Sequence, residues 1–310
     1  MRRWDRLVDA YIEEYRARGV SVATVAHTAA RLDRWGRWLK QRRPRVTIER
    51  IDAELITRYI ASCSSFRAKA TVYGTLSTMR CFGDYLVKQG LWTVNPLRWM
   101  KGPKVTPYSR LPQRIDHAHQ EALWREAASR RGDGAHLWLT VLALLYGTGL
   151  RRGELERLDV QHFERAEGTL RIDGRKTGRE RCVPLPEMVQ RCLEAYLPRR
   201  HNVLEQTGAL GERALLVSRR GERLTGQAIS NAIHGIARRA GVSIRSLHQF
   251  RHTCASDLLE AGVHLAQVQQ ILGHAGIATT VRYLHIADPQ RRAAMRAHPL
   301  NDWLAQREAA

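Results

Sequence analysis

The sequence predicts a mainly α-helical protein with a helical N-terminal domain and an α+β C-terminal domain that contains a small antiparallel sheet. Three observations support this fold class: helical periodicity through the first hundred residues, a hairpin pattern in the second half, and a Pro- and Lys-rich segment between them. We therefore expect domains at 1–100 and 114–310, joined by a linker at 101–113, with a C-terminal tail at 286–310.

Three helical patterns fill the N-terminal domain. Apolar residues recur at helical spacing within 21–41, and the pattern stops near Pro44. Further helices are predicted over 53–62 and 68–88, with Gly90 as a C-cap of the latter. Aromatic residues at such spacings usually form core rather than base-stacking platforms. We expect core positions for four of them: Trp35, Trp38, Tyr73 and Phe82.

The C-terminal domain begins with helices and continues with strands. Asp116 or His117 opens the first helix, and the apolar run 137–146 predicts a buried helix that ends at two glycines. Segments 169–172 and 181–185 have the pattern of strands around a turn rich in Gly, Lys and Arg. They predict a β-hairpin.

The remaining segments predict one more strand and four helices. Residues 215–218 form a candidate third strand. Thr225 and Ser246 are expected to cap two helices, and 265–272 forms a third. The last predicted helix carries Tyr283.

The charge of the chain indicates a polyanion as its partner. The formal net charge is +21, divided into +12 for residues 1–107 and +9 for the remainder, so both halves are basic. Basic charge on both halves suits two modules that hold one DNA duplex together. The alternative is an Arg-rich chain whose charged faces are simply solvated.

The sequence gives little support for a membrane protein, an exported protein or a metal-binding protein. The charged N-terminus lacks the apolar core of a signal peptide, and the longest apolar run is too short to span a bilayer. Five cysteines without a CxxC pair argue against a disulfide framework or a zinc site. Cys254 is interpreted as core filler, and His117 and His119 as surface residues. We expect a cytoplasmic protein with no membrane partner.

A set of residues suited to phosphodiester cleavage lies in the second half of the chain. The transition state gathers negative charge on the non-bridging oxygens, and the planar guanidinium of arginine binds two such oxygens at once. A nucleophilic hydroxyl must lose a proton, and the leaving oxygen must gain one. The candidate groups follow in this order: Arg151 and Glu154 in TGLRRGEL, Lys176 in GRKTGRERCVPL, His248 and Arg251 in HQFR, His274 in LGH, and Tyr283 in TTVRYLH.

The spacing of these residues is what favours a catalytic site. Glu154 lies one helical turn after Arg151 and can orient its guanidinium. His248 and Arg251 are three residues apart, so one helix points them the same way. Each residue alone also has an ordinary interpretation, as a solvated arginine, a surface lysine, a structural histidine or a packed tyrosine. Only their joint order separates the two interpretations.

The joint pattern resembles the tyrosine recombinase, or phage integrase, family, and in particular its Xer-type and integrase-like members. The resemblance runs from about residue 111 to residue 285, and the helical N-terminal region is similar to the family's SAM-like core-binding domain. It implies that Arg151 and Arg251 clamp the scissile phosphate. It also implies that Glu154 supports Arg151 and that His274 donates a hydrogen bond to the phosphate.

The resemblance further implies a covalent mechanism. Tyr283 would attack the phosphate and leave a 3′-phosphotyrosyl link and a free 5′ hydroxyl. His248 would handle the proton of the tyrosine hydroxyl, and Lys176 would protonate the departing 5′ oxygen. A 5′ hydroxyl from a partner duplex would then reverse the chemistry. Because the covalent link conserves bond energy, no ATP, metal ion or other cofactor is expected.

Two of these assignments have close neighbours in the sequence. Lys176 is located by counting back from the VPL segment, and Arg175 and Arg179 are the alternatives. Arg152 follows Arg151 directly. We assign Arg151 because the arginine of the family comes immediately after Gly-Leu.

The expected function is site-specific DNA recombination, in integration, transposition or resolution. The resemblance implies a homo-tetramer on two synapsed double-stranded DNA sites, associated with the nucleoid of the cytoplasm. The C-terminal tail could dock on its own domain or on the adjacent protomer, and both arrangements stay open. The alternatives are a type IB topoisomerase, which shares the phosphotyrosine chemistry, and a DNA-binding protein with a decayed catalytic set. The N-terminal domain and the tail favour the recombinase over the topoisomerase, and the complete residue set argues against decay.

Overall fold

The structure is a computed structural model in which residues 2–42, 46–65, 68–103, 114–130, 132, 134–174 and 180–273 are described. The chain divides into two compact units, Met1–Ser109 and Arg110–Ala310. The described elements are mostly helices, with one small antiparallel sheet, so the predicted fold class is confirmed. Most of the predicted linker and the whole predicted tail lie outside the described residues.

Four α-helices lie within the described part of the N-terminal unit. They are α1 (Arg2–Ala17), α2 (Val22–Lys40), α3 (Ala53–Ser64) and α4 (Lys69–Lys88). The three predicted helices are confirmed as α2, α3 and α4. Ser21 is the N-cap of α2 and Asp52 is the N-cap of α3. Each side chain accepts a hydrogen bond from a backbone N–H of the first turn. Gly90 follows α4 with φ of +67°, a conformation that glycine adopts without strain.

Aromatic side chains form the centre of the N-terminal unit. Trp35 and Phe82 are fully buried as predicted, and the ring of Trp4 packs edge-on against both. Trp4 belongs to α1. Many charged residues stand between the apolar ones in this segment, so its helical pattern was not recognised in the sequence. Trp38 is partly buried. The core position expected for Tyr73 is wrong, since this residue is 51% exposed; helical spacing alone does not say which face packs inward.

The C-terminal unit contains seven α-helices and three strands among the described residues. They are, in chain order, α5 (His117–Ala128), α6 (Gly134–Thr148), α7 (Arg152–Glu156), β1 (Phe163–Glu164), β2 (Thr169–Ile172), β3 (Arg181–Pro184), α8 (Glu187–Gln206), α9 (Gly226–Arg239), α10 (His248–Glu260) and α11 (Leu265–Leu272). The core lies around α6, which packs against α5, α8 and α10. Its segment 141–145 is buried, in agreement with the apolar run seen in the sequence. In the described ranges no helix combines the length and the apolar character needed to span a bilayer.

The sheet is antiparallel and has the strand order β1-β2-β3. The predicted hairpin is confirmed as β2 and β3, in which Leu170 pairs with Val183 and both side chains are buried. The third strand is β1, and the prediction of a strand at 215–218 is wrong. That segment forms only an isolated bridge between Val217 and Arg223, and its apolar residues are instead buried in the helical core.

The first residues of α5, α9 and α10 test the predicted helix caps and locate His248. Asp116 and Thr225 cap α5 and α9 as predicted, each accepting a hydrogen bond from a backbone N–H three residues on. Ser246 does not cap α10, which begins one residue later than expected, at His248. The side chain of Gln249 accepts the backbone N–H of Ser246 there. As a result His248 lies in the first turn of α10.

Candidate active site

The turn between α6 and α7 presents Arg151. Gly149 adopts φ of +60°, which lets the chain reverse direction before α7 begins. Arg151 is the N-cap of α7 and stays 32% exposed, whereas the side chain of Glu154 is only 4% exposed. One oxygen of Glu154 accepts the backbone N–H of Arg151 at 2.9 Å, and the other accepts its Nη1 at 2.8 Å. Glu154 therefore fixes both ends of Arg151, as the spacing predicts.

A second arginine, Arg181 at the start of β3, shares the same carboxylate. Its Nη1 and Nη2 donate to the two oxygens of Glu154 at 3.2 and 3.1 Å, and its Nε donates to the carbonyl of Ile271 at 2.9 Å. The side chain is 9% exposed. Sequence reasoning missed this residue. The available signal was its position two residues before Val183, because residues two apart in a strand face the same side, here the buried one.

Arg251 lies deep in the same region. It belongs to the first turns of α10, is 1% exposed, and donates from Nη1 to the carbonyl of Gly149 at 2.8 Å. Its Nη2 donates to the carbonyl of Leu272 at 2.6 Å. One guanidinium thereby ties the α6–α7 turn to the last residue of α11. The structure thus brings Arg151 and Arg251 to one place from positions a hundred residues apart.

All three arginines donate hydrogen bonds to backbone carbonyls at the C-terminal end of α11. The last carbonyls of a helix have no partner within the helix and carry its negative dipole end. Here the carbonyl of Ile271 accepts from Arg181, that of Leu272 from Arg251, and that of Gly273, at a longer 3.4 Å, from Arg151. Gly273 closes the helix with φ of +63°. The chain leaves this cluster directly before position 274.

His248 lies near the cluster in sequence but differs from Arg251 in exposure. It is exposed in the first turn of α10, and its ring packs edge-on against that of His252 with centroids 4.6 Å apart. His252 was not singled out from the sequence. Lys176, His274 and Tyr283 lie outside the described residues, as do Arg175 and Arg179, the neighbours considered for the lysine. Their assignments stay predictions.

The electrostatics of Glu154 depend on its two arginines. Burial by itself raises the pKa of this carboxyl group. Hydrogen bonds from Arg181 and from the backbone of Arg151, together with the charges of both, outweigh burial and leave the pKa below its ordinary value. Glu154 is therefore ionised at neutral pH and holds the two guanidinium groups close together.

The remaining cysteine and histidine candidates for a nucleophile or a metal ligand lie in environments that do not suit those roles. Cys254 is buried as expected, and burial raises the pKa of its thiol to about 12, so the reactive thiolate is scarce at neutral pH. His117 and His119 are exposed as expected. Within the described ranges, no three His, Cys, Asp or Glu side chains are grouped so that they could hold a metal ion.

Two family models match this chain. A family model described as "Phage integrase family" matches residues 113–290, and one described as "Phage integrase, N-terminal SAM-like domain" matches residues 8–90. The tyrosine recombinase XerC of Pelobacter propionicus is 31% identical over 255 residues, which cover 82% of this chain and 81% of that protein. XerC of Staphylococcus haemolyticus is 32% identical over 255 residues, with 82% of each chain covered.

Two solved structures with a similar fold are a recombinase and an integrase, each bound to DNA. The XerH recombinase bound to a palindromic difH substrate has a TM-score of 0.73 and 19% identity, and the match covers 90% of this chain and 81% of that one. A lambda integrase dimer bound to a COC′ core site has a TM-score of 0.70 and 20% identity, with 89% and 96% covered. These likenesses establish the fold.

The αL turn at Gly149 yields a stability prediction. A Cβ at this position would overlap Cδ2 of Leu272, whereas one at Gly241 would meet open space, although both glycines have positive φ. We expect Gly149→Ala to lower the free energy of unfolding by about 1–3 kcal/mol more than Gly241→Ala, since both incur backbone strain but only the former crowds the core. Urea unfolding of the two variants measures the difference. Equal losses would show that Leu272 does not press on this turn.

The ionised state of Glu154 yields a pH prediction. Its pKa in the folded chain is below that of the unfolded chain, about 4.3, so its contribution to stability is complete above about pH 5 and is lost as the pH falls through the folded-state pKa. At about pH 7, Glu154→Gln should lower the free energy of unfolding by about 3 kcal/mol, because it leaves buried arginine charge unbalanced. This deficit should shrink as the pH falls below the unfolded-state pKa toward the lower folded-state pKa.

The control for that experiment is Glu187→Gln. Glu187 pairs with Arg191 on the exposed surface of α8, where ion pairs contribute little. Because Glu187 also lies in the first turn of α8, urea unfolding should show a deficit of less than about 1 kcal/mol for this variant. A Glu154→Gln deficit that did not change with pH would contradict the assigned ionisation.

Proposed function

The chain belongs to the phage integrase family of tyrosine recombinases, and we propose that it cuts and rejoins double-stranded DNA at specific sites through a 3′-phosphotyrosyl link to Tyr283. Enzymes of this family break and rejoin DNA strands, and the fold of this chain is that of DNA recombinases.

The observation that carries the proposal is the joint placement of Arg151 and Arg251. They come from different helices and donate to neighbouring carbonyls, Gly273 and Leu272, at the end of α11. Two guanidinium groups held this close supply the positive charge that a phosphodiester transition state requires. Arg151 is the more exposed of the two and is the group that an incoming DNA phosphate meets first.

We assign the proton transfers from the motifs that this chain shares with the family. The hydroxyl oxygen of Tyr283 attacks the phosphorus and gives its proton to His248. The bond from phosphorus to the 5′ oxygen breaks, and Lys176 donates a proton to that oxygen. His274 donates a hydrogen bond to a non-bridging oxygen. In strand transfer a 5′ hydroxyl attacks the phosphotyrosyl phosphorus and the tyrosine hydroxyl is restored, so each phosphodiester broken is replaced by one formed.

The wider arrangement is also part of the proposal. Residues 1–100 form a core-binding domain and 114–310 a catalytic domain, and the matches at 8–90 and 113–290 support this division. A solved lambda integrase forms a tetramer on a Holliday junction. By analogy we assign this chain to a homo-tetramer on two synapsed DNA sites at the nucleoid, whose tail at 286–310 could dock on a neighbouring protomer.

A covalent trapping experiment tests the nucleophile. The chain is incubated with a nicked suicide duplex that carries its recombination site and then separated on a denaturing gel. We expect a covalent protein–DNA adduct that is abolished by Tyr283→Phe, because phenylalanine has no hydroxyl to attack the phosphorus. The matched control, Tyr73→Phe, removes the hydroxyl of a tyrosine that is exposed in the N-terminal unit and should leave the adduct unchanged.

Each other outcome selects an alternative. Good DNA binding without an adduct in the parent chain would point to a DNA-binding protein that lacks the reaction. An adduct with relaxation of supercoils but without synapsis of two duplexes would point to a type IB topoisomerase. An adduct that survives Tyr283→Phe would place the nucleophile on another residue.

A further inference from the structure

We propose that Arg181 is a positioning residue for strand cleavage, which keeps Arg151 free to bind the scissile phosphate by occupying the other side of Glu154. The inference rests on the proposed function, since it needs Arg151 to act on a phosphate. Arg181 itself is nearly buried and bonds only protein groups in the contacts described above, so its action passes through Glu154 and the end of α11.

The carboxylate of Glu154 is saturated by its two neighbours. Its two oxygens accept four hydrogen bonds, two from Arg151 and two from Arg181. A carboxylate offers about four lone-pair sites, so no further donor fits easily. Of the guanidinium nitrogens of Arg151, only Nη1 bonds this carboxylate. The rest of the planar fork is directed elsewhere.

Removal of Arg181 would change how Arg151 pairs. Arginine and carboxylate groups favour a two-bond, fork-to-fork arrangement. With Arg181 gone, Glu154 would have two empty acceptor sites in a buried place, and Arg151 is the nearest guanidinium that could fill them. The fork that the phosphate needs would then be turned toward Glu154. Arg181 thus prevents a closed pair between Arg151 and Glu154.

A second set of contacts links Arg181 to the end of α11. Its Nε binds the carbonyl of Ile271, and a Cβ placed on Gly273 would lie 2.6 Å from its Nη1. The guanidinium therefore packs directly against Gly273, the residue whose carbonyl contacts Arg151. Arg181 fixes the partners of Arg151 on both sides, the carboxylate and the helix end. Lysine would replace it only in part, because one ammonium keeps the charge but cannot span three acceptors in a plane.

The test compares single-turnover cleavage of the suicide duplex by full-length variants. Arg181→Gln should form the covalent adduct up to about 100-fold more slowly than the parent chain, as expected when a catalytic group is misplaced by about 1 Å. Arg181→Lys keeps the cation and should fall between the two. The matched control is Arg191→Gln, which removes the same charge from an exposed ion pair on α8 and should cleave at the parent rate. DNA affinity should be unchanged in all three.

Two readouts separate positioning from loss of structure. The first uses a methylphosphonate at the scissile position, in which a methyl group replaces a charged non-bridging oxygen. Because that substrate needs less arginine charge, the defect of Arg181→Gln should shrink to less than about 10-fold. The second is the pH profile of stability, measured by urea unfolding. Without Arg181, Glu154 loses its largest compensation for burial, so the loss of stability at acidic pH should begin at a higher pH.

Either of two results with Arg181→Gln would overturn the inference. A parent-like rate in Arg181→Gln would do so, and so would equal defects on both substrates with an unchanged pH profile. If Arg181→Gln does not fold, Arg181→Lys carries the same comparisons. Absence of an adduct in the parent chain would instead remove the proposed function, so the two failures are distinguishable.

Discussion

Three successive carbonyl oxygens at the C-terminal end of α11 accept hydrogen bonds from three arginines that come from three different elements. Arg151 caps α7, Arg181 begins β3 and Arg251 lies in α10. The negative end of the helix favours this concentration of positive charge. The contacts also join parts of the chain that are more than a hundred residues apart, and they fix the point at which the chain leaves α11.

The cluster of three arginines explains the choice of glycine at two neighbouring positions and of glutamate at position 154. Glycine is needed at 149 and 273, because both positions have positive φ and both lie against cluster side chains, Leu272 and Arg181. Glu154 is needed because guanidinium groups this close together repel one another unless a buried carboxylate lies between them. Under the proposed function, strand cleavage would use positive charge that the fold has already assembled, and Arg151 is the partly exposed member of the cluster.

Sequence reasoning recovered the parts of this arrangement that local pattern encodes. Helices with clear caps, such as the one begun by Thr225, were predicted closely, and Arg151 and Arg251 were found from their motifs. The long helix α8 was missed because an internal proline and many charges obscure its periodicity. Arg181 was missed because its partners, Glu154 and Ile271, are distant in sequence, and strand alternation with Val183 indicates only which side the residue faces and not what it bonds. Contacts of that kind become visible only in three dimensions.

The structure of Tyr283→Phe bound to an uncleaved recombination site would test most directly whether Arg151 and Arg251 bind the scissile phosphate. We expect the scissile phosphate to lie beside the end of α11 and to accept hydrogen bonds of about 2.7–2.9 Å from both Arg151 and Arg251. A scissile phosphate bound away from these two guanidinium groups would contradict this expectation.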